Sequence, residues 1–195
     1  MKKLTVVKFG GSLTKNPLAQ QKFLKELAEI SRKQNIILVH GGGPEINLLL
    51  EKFSITSKFV NGLRFTDAPA LEVVEMALNG KVNGALTTGL IKNKAAAVGI
   101  SAKDGNSVIC RQVTELGFVG EPVKVNKKLI ETLVKNGFLP VIASIAADKN
   151  GNAMNVNADA LATALAIAFK ADKLVFLTDT PGVLDKNKKT IKEIK

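Results

Sequence analysis

Apolar residues in this chain occur in two arrangements, as short continuous runs and as longer stretches in which they recur every three or four positions. Short runs are typical of strands buried on both faces, and the longer spacing is typical of amphipathic helices. Strands are therefore predicted over residues 4–9, 36–39, 95–100, 138–144 and 173–178. Helices are predicted over residues 17–33, 44–53, 126–135 and 160–171, and from Asp67 past Leu86. Because strands and helices alternate, this order predicts an α/β fold with a mainly parallel sheet.

Shorter extended pieces interrupt this alternation. Asn61 and Gly62 form a strong hairpin signal within residues 58–66, and that hairpin would carry Arg64. Further β pieces are predicted at residues 107–113 and 118–125 and on either side of the polar turn 148–151. We expect an antiparallel layer of hairpins beside the parallel sheet.

The helix predicted over residues 160–171 is apolar nearly all round. A helix without a polar face is predicted to be buried on more than one side. Asn157 is a suitable N-cap for it, which puts Asp159 in the first turn, where a carboxylate is favoured. Asp159 then either serves the helix alone or takes part in a site, and its spacing leaves both interpretations open.

Two glycine-rich turns follow the first two predicted strands, Gly10-Gly11 and 41–43, and Pro44 begins the helix after the second turn. Because glycine lacks a Cβ, consecutive glycines leave their backbone N–H groups exposed. The positive end of the helix dipole also favours an anion at this point. Each turn alone is equally compatible with a tight connection that needs small residues. Two of them on neighbouring parallel strands favour a ligand site at the carboxyl edge of the sheet.

Neither turn matches a common nucleotide motif. The sequence contains no P-loop, and GGGPEI ends in Ile46 where the dinucleotide-binding fingerprint has glycine. The later tetrapeptide DTPG occurs in GTPases, but there it accompanies a P-loop.

Composition excludes several classes of protein. The 195 residues are 46% hydrophobic, yet no apolar run approaches the roughly 20 residues that span a bilayer, so we expect a cytoplasmic protein. The net charge of +11 comes largely from dispersed lysines, and tyrosine and tryptophan are absent, so nucleic-acid binding is the less favoured interpretation. Cys110 is the only cysteine, which rules out a disulfide within the chain. His40 is the only histidine, and we interpret it as structural rather than catalytic.

Seven segments, taken in order, resemble the amino-acid kinase family, and within it the branch that acts on N-acetyl-L-glutamate. They are KFGGS, VHGGGPEIN, FVNGLRFTD, AVGISAKDG, LGFVGEPVKVN, MNVNADALATALA and LTDTPGVLD. The resemblance extends over essentially the whole chain. It implies a three-layer α/β/α sandwich with a mainly parallel central sheet and β-hairpins over the substrate site. It also implies transfer of the γ-phosphate of ATP, with Mg²⁺ carried by the nucleotide, to the side-chain carboxylate of N-acetyl-L-glutamate in arginine synthesis.

The resemblance assigns roles to individual positions. Lys8 would stabilise the transferring phosphoryl group, and Asp159 would organise the catalytic lysines. Gly42 and Gly43 would bind acyl-glutamate and phosphate through their backbone, Arg64 would grip a substrate carboxylate, and Asn155 would hold the acylamino end. The implied nucleotide-binding residues are Gly10, Gly11, Asp179, Thr180, Pro181, Gly182, Val183 and Leu184.

The chain also departs from the family it resembles. Family members continue beyond the position of Lys195 with a second catalytic lysine, so residues 1–170 are expected to form the acyl-amino-acid lobe and residues 171–195 the start of a nucleotide lobe. The chain begins directly on its first strand, and a homodimer without arginine feedback is therefore expected. Alternative interpretations are a kinase for another acylated acidic amino acid, such as an N-succinylglutamate or aminoadipate derivative, and a ligand-binding fragment that transfers nothing.

Overall fold

The computed structural model describes residues 2–10, 16–60 and 62–178, together with positions 182, 186, 189–191 and 193. In chain order the strands are β1 (Leu4–Phe9), β2 (Asn35–His40), β3 (Lys58–Val60), β4 (Leu63–Phe65), β5 (Ala97–Ser101), β6 (Val108–Gln112), β7 (Val119–Val125), β8 (Leu139–Ala143), β9 (Ile145–Ala147), β10 (Ala153–Val156) and β11 (Lys173–Leu177). The helices are α1 (Pro17–Ser31), α2 (Gly43–Lys52), α3 (Ala68–Glu75), α4 (Asn83–Lys92), α5 (Lys128–Lys135) and α6 (Ala158–Phe169). These bounds confirm the predicted alternation of strand and helix.

The five strands predicted from continuous apolar runs form one parallel sheet in the order β11-β1-β2-β8-β5. Adjacent residues of a strand point to opposite sides, and both faces of the sheet are buried because elements pack on each of them. In β1, Val6 belongs to the core beneath α6, whereas Val7 and Phe9 belong to the core beneath α1 and α4. The expected arrangement of a sheet between two helical layers is therefore confirmed.

The smaller β elements also form, in an arrangement that the sequence did not predict. The hairpin β3-β4 is antiparallel, and Gly62 adopts a φ of +80° in its turn. Asn61, the other residue of the predicted turn, lies outside the described residues. Strands β6, β7, β9 and β10 close into a barrel in which β7 and β10 run parallel, so the layer is not purely antiparallel.

The long helix predicted from Asp67 is continuous but not uniform. Asp67 caps α3 by accepting a hydrogen bond from the Ala70 amide at 3.0 Å, as predicted. Between α3 and α4 the backbone is π-helical over Met76–Val82, and we call this stretch the π segment. The buried residues Val74, Leu78, Val82 and Leu86 repeat every four positions, whereas an α-helix turns every 3.6. A π-helical turn contains more residues than an α-helical turn, so the π segment keeps these four buried residues on the side of the helix that faces the core.

Helix α6 is the clearest correction to the sequence analysis. Leu161, Ala162 and Leu165 are buried against the sheet, but Ile167 is 73% exposed on the opposite side. The prediction of burial on more than one side is therefore wrong for the described residues. The helix is apolar all round because alanine fills much of its outer face, and an exposed alanine costs little.

None of the helices within the described ranges is long and apolar enough to cross a membrane.

Candidate functional site

A cleft of about 470 Å³ opens where the carboxyl edge of the parallel sheet meets the barrel and the hairpin β3-β4. The glycine loop, residues 41–43, lies on one side of it, and Arg64 on β4 lies on another. Asn155 on β10, Asn157 before α6, Ser144 and Glu121 add further polar groups to the lining. Four predicted substrate-binding residues, Gly42, Gly43, Arg64 and Asn155, thus line one cleft.

The glycine loop presents the uncapped start of α2 to this cleft. Gly42 is the N-cap residue of α2, and no side chain caps the helix. A Cβ at Gly42 would lie 2.7 Å from Leu78 and 3.0 Å from Val82, so the π segment leaves room for glycine alone, whereas Gly43 faces open space. The first N–H groups of α2 are therefore free of side-chain caps and open to an anion.

Lys8 and Asp159 form an ion pair that does not line this cleft but adjoins it, since Asp159 follows the lining residue Ala158. Lys8 Nζ lies 2.9 Å from Asp159 Oδ1, and the lysine side chain is 15% exposed while the aspartate is 54% exposed. Asn157 caps α6, its side-chain oxygen accepting hydrogen bonds from the amides of Asp159 and Ala160. Since Asn157 performs the capping, the Asp159 carboxylate is left to hold the lysine.

Gly10, which follows β1, lies next to the Lys8 ammonium. Its amide donates to the Leu177 carbonyl of β11 at 3.1 Å. A Cβ here would stand 2.5 Å from that carbonyl oxygen and 3.6 Å from Lys8 Nζ, so the lysine ammonium lies directly over a glycine backbone. The carboxyl ends of β11 and β1 therefore meet beside the Lys8 ammonium.

Arg64 is oriented by neighbours that carry no charge. Its guanidinium donates to the Ser57 hydroxyl and, at 2.5 Å, to Asn47 Oδ1 on α2, and it stacks on Phe59 at 4.7 Å from the ring centre. Burial lowers the pKa of Arg64 from its ordinary value, but the group stays charged at neutral pH. Its positive charge thus remains unneutralised by these neighbours and is available to an anionic ligand.

Thr66, which the sequence analysis did not single out, joins the hairpin to the barrel. Its hydroxyl accepts a hydrogen bond from Asn155 Nδ2 at 3.1 Å, its amide donates to Leu116 O, and its carbonyl accepts from the Phe118 amide. It is fully buried. Its place within FVNGLRFTD, two residues after Arg64, is the one signal that could have identified it.

His40 lies beneath the glycine loop and is completely buried. Its Nδ1 is 3.0 Å from the carbonyl oxygen of Gly41, and its Nε2 is 3.0 Å from Nδ2 of Asn83, a second residue that the sequence analysis missed. Burial lowers the pKa of His40 to about 4, so the imidazole is neutral at pH 7. These contacts support the interpretation that His40 is structural.

Two of the eight predicted nucleotide-binding residues, Gly10 and Gly182, belong to the part of the chain that the structure describes. Gly11, Asp179, Thr180, Pro181, Val183 and Leu184 lie outside the described residues. Gly182 is described and has a φ of +137°, a conformation that favours glycine.

Metal-ligating side chains do not cluster in the described part of the chain, where no three His, Cys, Asp or Glu residues come together. Burial raises the pKa of the Cys110 thiol to about 12, which makes it a poor nucleophile or metal ligand.

Comparison with known proteins identifies the family. The sequence profile of the Amino acid kinase family matches residues 3–195. This chain belongs to the amino acid kinase family. An acetylglutamate kinase from Endomicrobium trichonymphae is 75% identical over 195 residues, which are all of this chain and 78% of that protein. An acetylglutamate kinase from Trichormus variabilis is 46% identical over 182 residues, or 92% of this chain and 61% of the relative. This member of the amino acid kinase family therefore spans about 60 to 80% of the length of these two relatives.

Solved structures give the same fold for this amino acid kinase. The protein smu.665 from Streptococcus mutans UA159 matches with a TM-score of 0.83 at 32% identity, covering 95% of this chain and 76% of that one. N-acetylglutamate synthase from Neisseria gonorrhoeae, complexed with coenzyme A and N-acetyl-glutamate, matches with a TM-score of 0.81 at 20% identity. That match covers 95% of this chain and 44% of the synthase, and it concerns the fold alone.

Proposed function

We propose that this chain phosphorylates the side-chain carboxylate of N-acetyl-L-glutamate with ATP, a step of arginine synthesis, in the cytoplasm. The observation that carries the proposal is the convergence of the free N-terminus of α2, Arg64 and Asn155 on one cleft, next to the pair of Lys8 and Asp159. The relatives named acetylglutamate kinase support the same substrate.

The proposed reaction needs no general base. The acceptor carboxylate has an ordinary pKa of about 4.3 and is ionised at neutral pH. This agrees with a site whose histidine is buried and neutral. Charge on the transferring phosphoryl oxygens must instead be neutralised, and the nucleophile must be held in line.

Lys8 and the glycine loop would supply this neutralisation. The Lys8 ammonium, held 2.9 Å from Asp159, would act on the transferring phosphoryl group. The backbone N–H groups of Gly42 and Gly43 would bind phosphoryl and substrate oxygens. Because Asp159 holds the ammonium before substrate arrives, little reorganisation accompanies the transfer.

Arg64 and Asn155 would hold the two ends of the acylated amino acid. The guanidinium can form two parallel hydrogen bonds to the α-carboxylate, which a lysine cannot copy. Asn155 would hold the acylamino group, and its register partner on β7 is Val119. The acyl group would therefore lie among Leu116, Val119 and Gly120, close to the Glu121 side of the cleft. An apolar wall suits a methyl group better than the second carboxylate of a succinyl group, which favours acetyl. The Glu121 carboxylate itself is paired with Arg111 at 3.0 Å.

ATP would enter from the side of Lys8, where Gly10 and the carboxyl end of β11 meet. The residues proposed to line it are Gly10, Gly11, Asp179, Thr180, Pro181, Gly182, Val183 and Leu184. When bound with the nucleotide, Mg²⁺ neutralises the β- and γ-phosphates. We propose that the nucleotide carries the ion.

Two measurements test this function in the 195-residue chain. Calorimetric titration with N-acetyl-L-glutamate, N-succinyl-L-glutamate and L-glutamate should show saturable binding that is strongest for the acetylated form. Incubation with ATP, Mg²⁺ and N-acetyl-L-glutamate in hydroxylamine should then yield a hydroxamate, because an acyl phosphate is trapped by that nucleophile. ADP release without hydroxamate would contradict transfer to a carboxylate, and a preference for the succinyl compound would favour the alternative substrate. Binding without ADP or hydroxamate would identify a ligand-binding protein that transfers nothing.

A further inference from the structure

The hydrogen-bond partners of His40 determine where its proton lies. The Gly41 carbonyl oxygen can only accept, so Nδ1, at 3.0 Å from it, must carry the hydrogen. A neutral ring with its hydrogen on Nδ1 has a bare Nε2, which faces the Asn83 amide nitrogen, a donor only, at 3.0 Å. Both contacts together specify one neutral tautomer, protonated on Nδ1.

Asn83 is itself fixed by three strands of the sheet. Its Nδ2 lies 2.9 Å from the Val141 carbonyl on β8, 3.2 Å from the Ile100 carbonyl on β5 and 3.0 Å from His40 Nε2 at the end of β2, so its two hydrogens are shared among three acceptors. A Cβ at Gly99 would come within 2.0 Å of Asn83 Oδ1, so β5 leaves space for this amide by using glycine. Asn83 is also the first residue after the π segment, whose Leu78 and Val82 abut Gly42.

The hydrogen bond from His40 constrains the peptide that joins Gly41 to Gly42. No peptide bond of the described chain is cis, so the Gly42 N–H points opposite to the Gly41 carbonyl. That carbonyl is directed at His40, which is buried beneath the loop, and the N–H therefore faces the cleft that Gly41 and Gly42 line. Among the described residues, no backbone carbonyl accepts a hydrogen bond from the Gly42 N–H.

We propose that Asn83 and His40 form a positioning relay that aims the Gly42 N–H into the cleft as an anion donor. Asn83 fixes the imidazole tautomer, and the imidazole fixes the peptide. Neither residue lines the cleft, so both are positioning residues for the site. The relay rests on the proposed function for the identity of its anion, but its geometry can be tested without any ligand.

Two substitutions of His40 separate positioning from packing. The side-chain amide of asparagine reaches about as far as Nδ1, so His40→Asn keeps a donor for the Gly41 carbonyl. The longer glutamine places its amide near Nε2, so His40→Gln keeps the contact with Asn83 and loses the donor to Gly41. A purely structural histidine would lose stability in both variants without a difference in ligand affinity between them.

The first readout is the imidazole itself. Because the chain has one histidine, its ¹⁵N signals need no assignment. We expect a spectrum of a neutral ring protonated on Nδ1 in the wild-type protein at pH 7. Protonation on Nε2 would overturn the relay, whatever the protein binds.

The second readout is calorimetric affinity for N-acetyl-L-glutamate, with thermal unfolding measured for every variant. We expect His40→Gln to raise Kd roughly tenfold, the effect of one lost hydrogen bond to a charged group, and His40→Asn to raise it less than threefold. Asn83→Ala should resemble His40→Gln. The matched control is Asn93→Ala, which removes an amide donor to the Gly89 carbonyl at the far end of α4 and should leave Kd unchanged.

These outcomes also separate the relay from the proposed function. Equal affinities of His40→Asn and His40→Gln, at equal stability, would overturn the relay while the function stands. A wild-type protein that binds no acylated glutamate would contradict the function instead. In that case the Gly42 amide resonance is titrated with inorganic phosphate, and a Gly42 signal that does not move would overturn the relay as well.

Discussion

Lys8 combines low exposure with a carboxylate partner, which holds its ammonium in one place. If that ammonium acts on the transferring phosphoryl group, Lys8→Ala should lower kcat by roughly 100-fold or more with a modest change in KM, as measured by hydroxamate formation. Lys22→Ala is the matched control, because Lys22 also pairs with a carboxylate, that of Glu26, but is 79% exposed on α1. A near-normal kcat for Lys8→Ala would rule out the proposed role.

Arg64 is expected to act in substrate binding rather than in transfer. Arg64→Lys keeps the charge but loses the planar fork and the stacking on Phe59, so KM for the acylated amino acid should rise roughly tenfold while KM for ATP changes little. Steady-state kinetics with each substrate varied in turn would test this. An equal rise for both substrates would mean that Arg64 only supports the fold.

His40 makes stability depend on pH. Burial lowers its pKa to about 4 in the folded protein, whereas the unfolded chain titrates near 6.5. Between these values the unfolded chain binds a proton that the folded protein does not, so the free energy of unfolding falls as the pH is lowered from 6.5 towards 4, by up to about 3 kcal/mol. Urea unfolding of the wild-type protein and His40→Asn across this range would test it, since the variant should lack this part of the slope.

At the level of single residues, the sequence identified the groups that bear charge but not those that orient them. Lys8, Arg64 and Asp159 stand in recognisable motifs. Their neighbours do not, because Asn47 and Thr66 act through partners that are 17 and 89 residues away along the chain. Such contacts depend on the packing of separate elements and leave no periodic signal.

The connection between the hairpin β3-β4 and the barrel is made at Gly117, which forms a bridge with Thr66. Gly117 has a φ of +74°, and a Cβ there would lie 2.3 Å from the Thr66 carbonyl oxygen. Gly117→Ala should therefore cost about 3 kcal/mol or more and weaken binding of the acylated amino acid, since Thr66 also holds Asn155.

Gly137→Ala is the control for that substitution. Gly137 has a similar φ of +80° but no atom within 4 Å of the added Cβ, so only backbone strain of about 1 kcal/mol is expected. Chemical denaturation and calorimetry of both variants would test the difference. Equal losses of stability would show that the Thr66 contact contributes nothing.

The sequence predicted the elements that follow from local patterns, but not the barrel, which depends on pairing between strands that are distant in the chain. The five strands of the parallel sheet, and the caps Asp67 and Asn157, follow from apolar runs and capping chemistry. The barrel depends on β10 lying parallel to β7, a register set by distant contacts. The exposed outer face of α6 escaped prediction because a helix rich in alanine has the same pattern whether it is covered or not.

As a whole, the molecule has uncovered apolar surface on the helix that runs through the π segment. Met76 and Ile91 are both about half exposed. We expect a homodimer, and light scattering during size-exclusion chromatography should give twice the chain mass of 20.8 kDa. A hexamer would contradict this expectation, and a monomer would mean that these side chains face solvent.

The order of strands in the main sheet also determines when the partners of each strand become available during translation. Strand β1, which carries Lys8, lies between β2 and β11, and its residue Thr5 pairs with Lys173. A ribosome adds roughly 5 to 20 residues per second, so one edge of β1 waits on the order of ten seconds before its second neighbour exists. During that time an apolar strand with unpaired N–H and C=O groups is open to other chains. The strand that bears the proposed catalytic lysine is thus made well before the strand that completes its pairing.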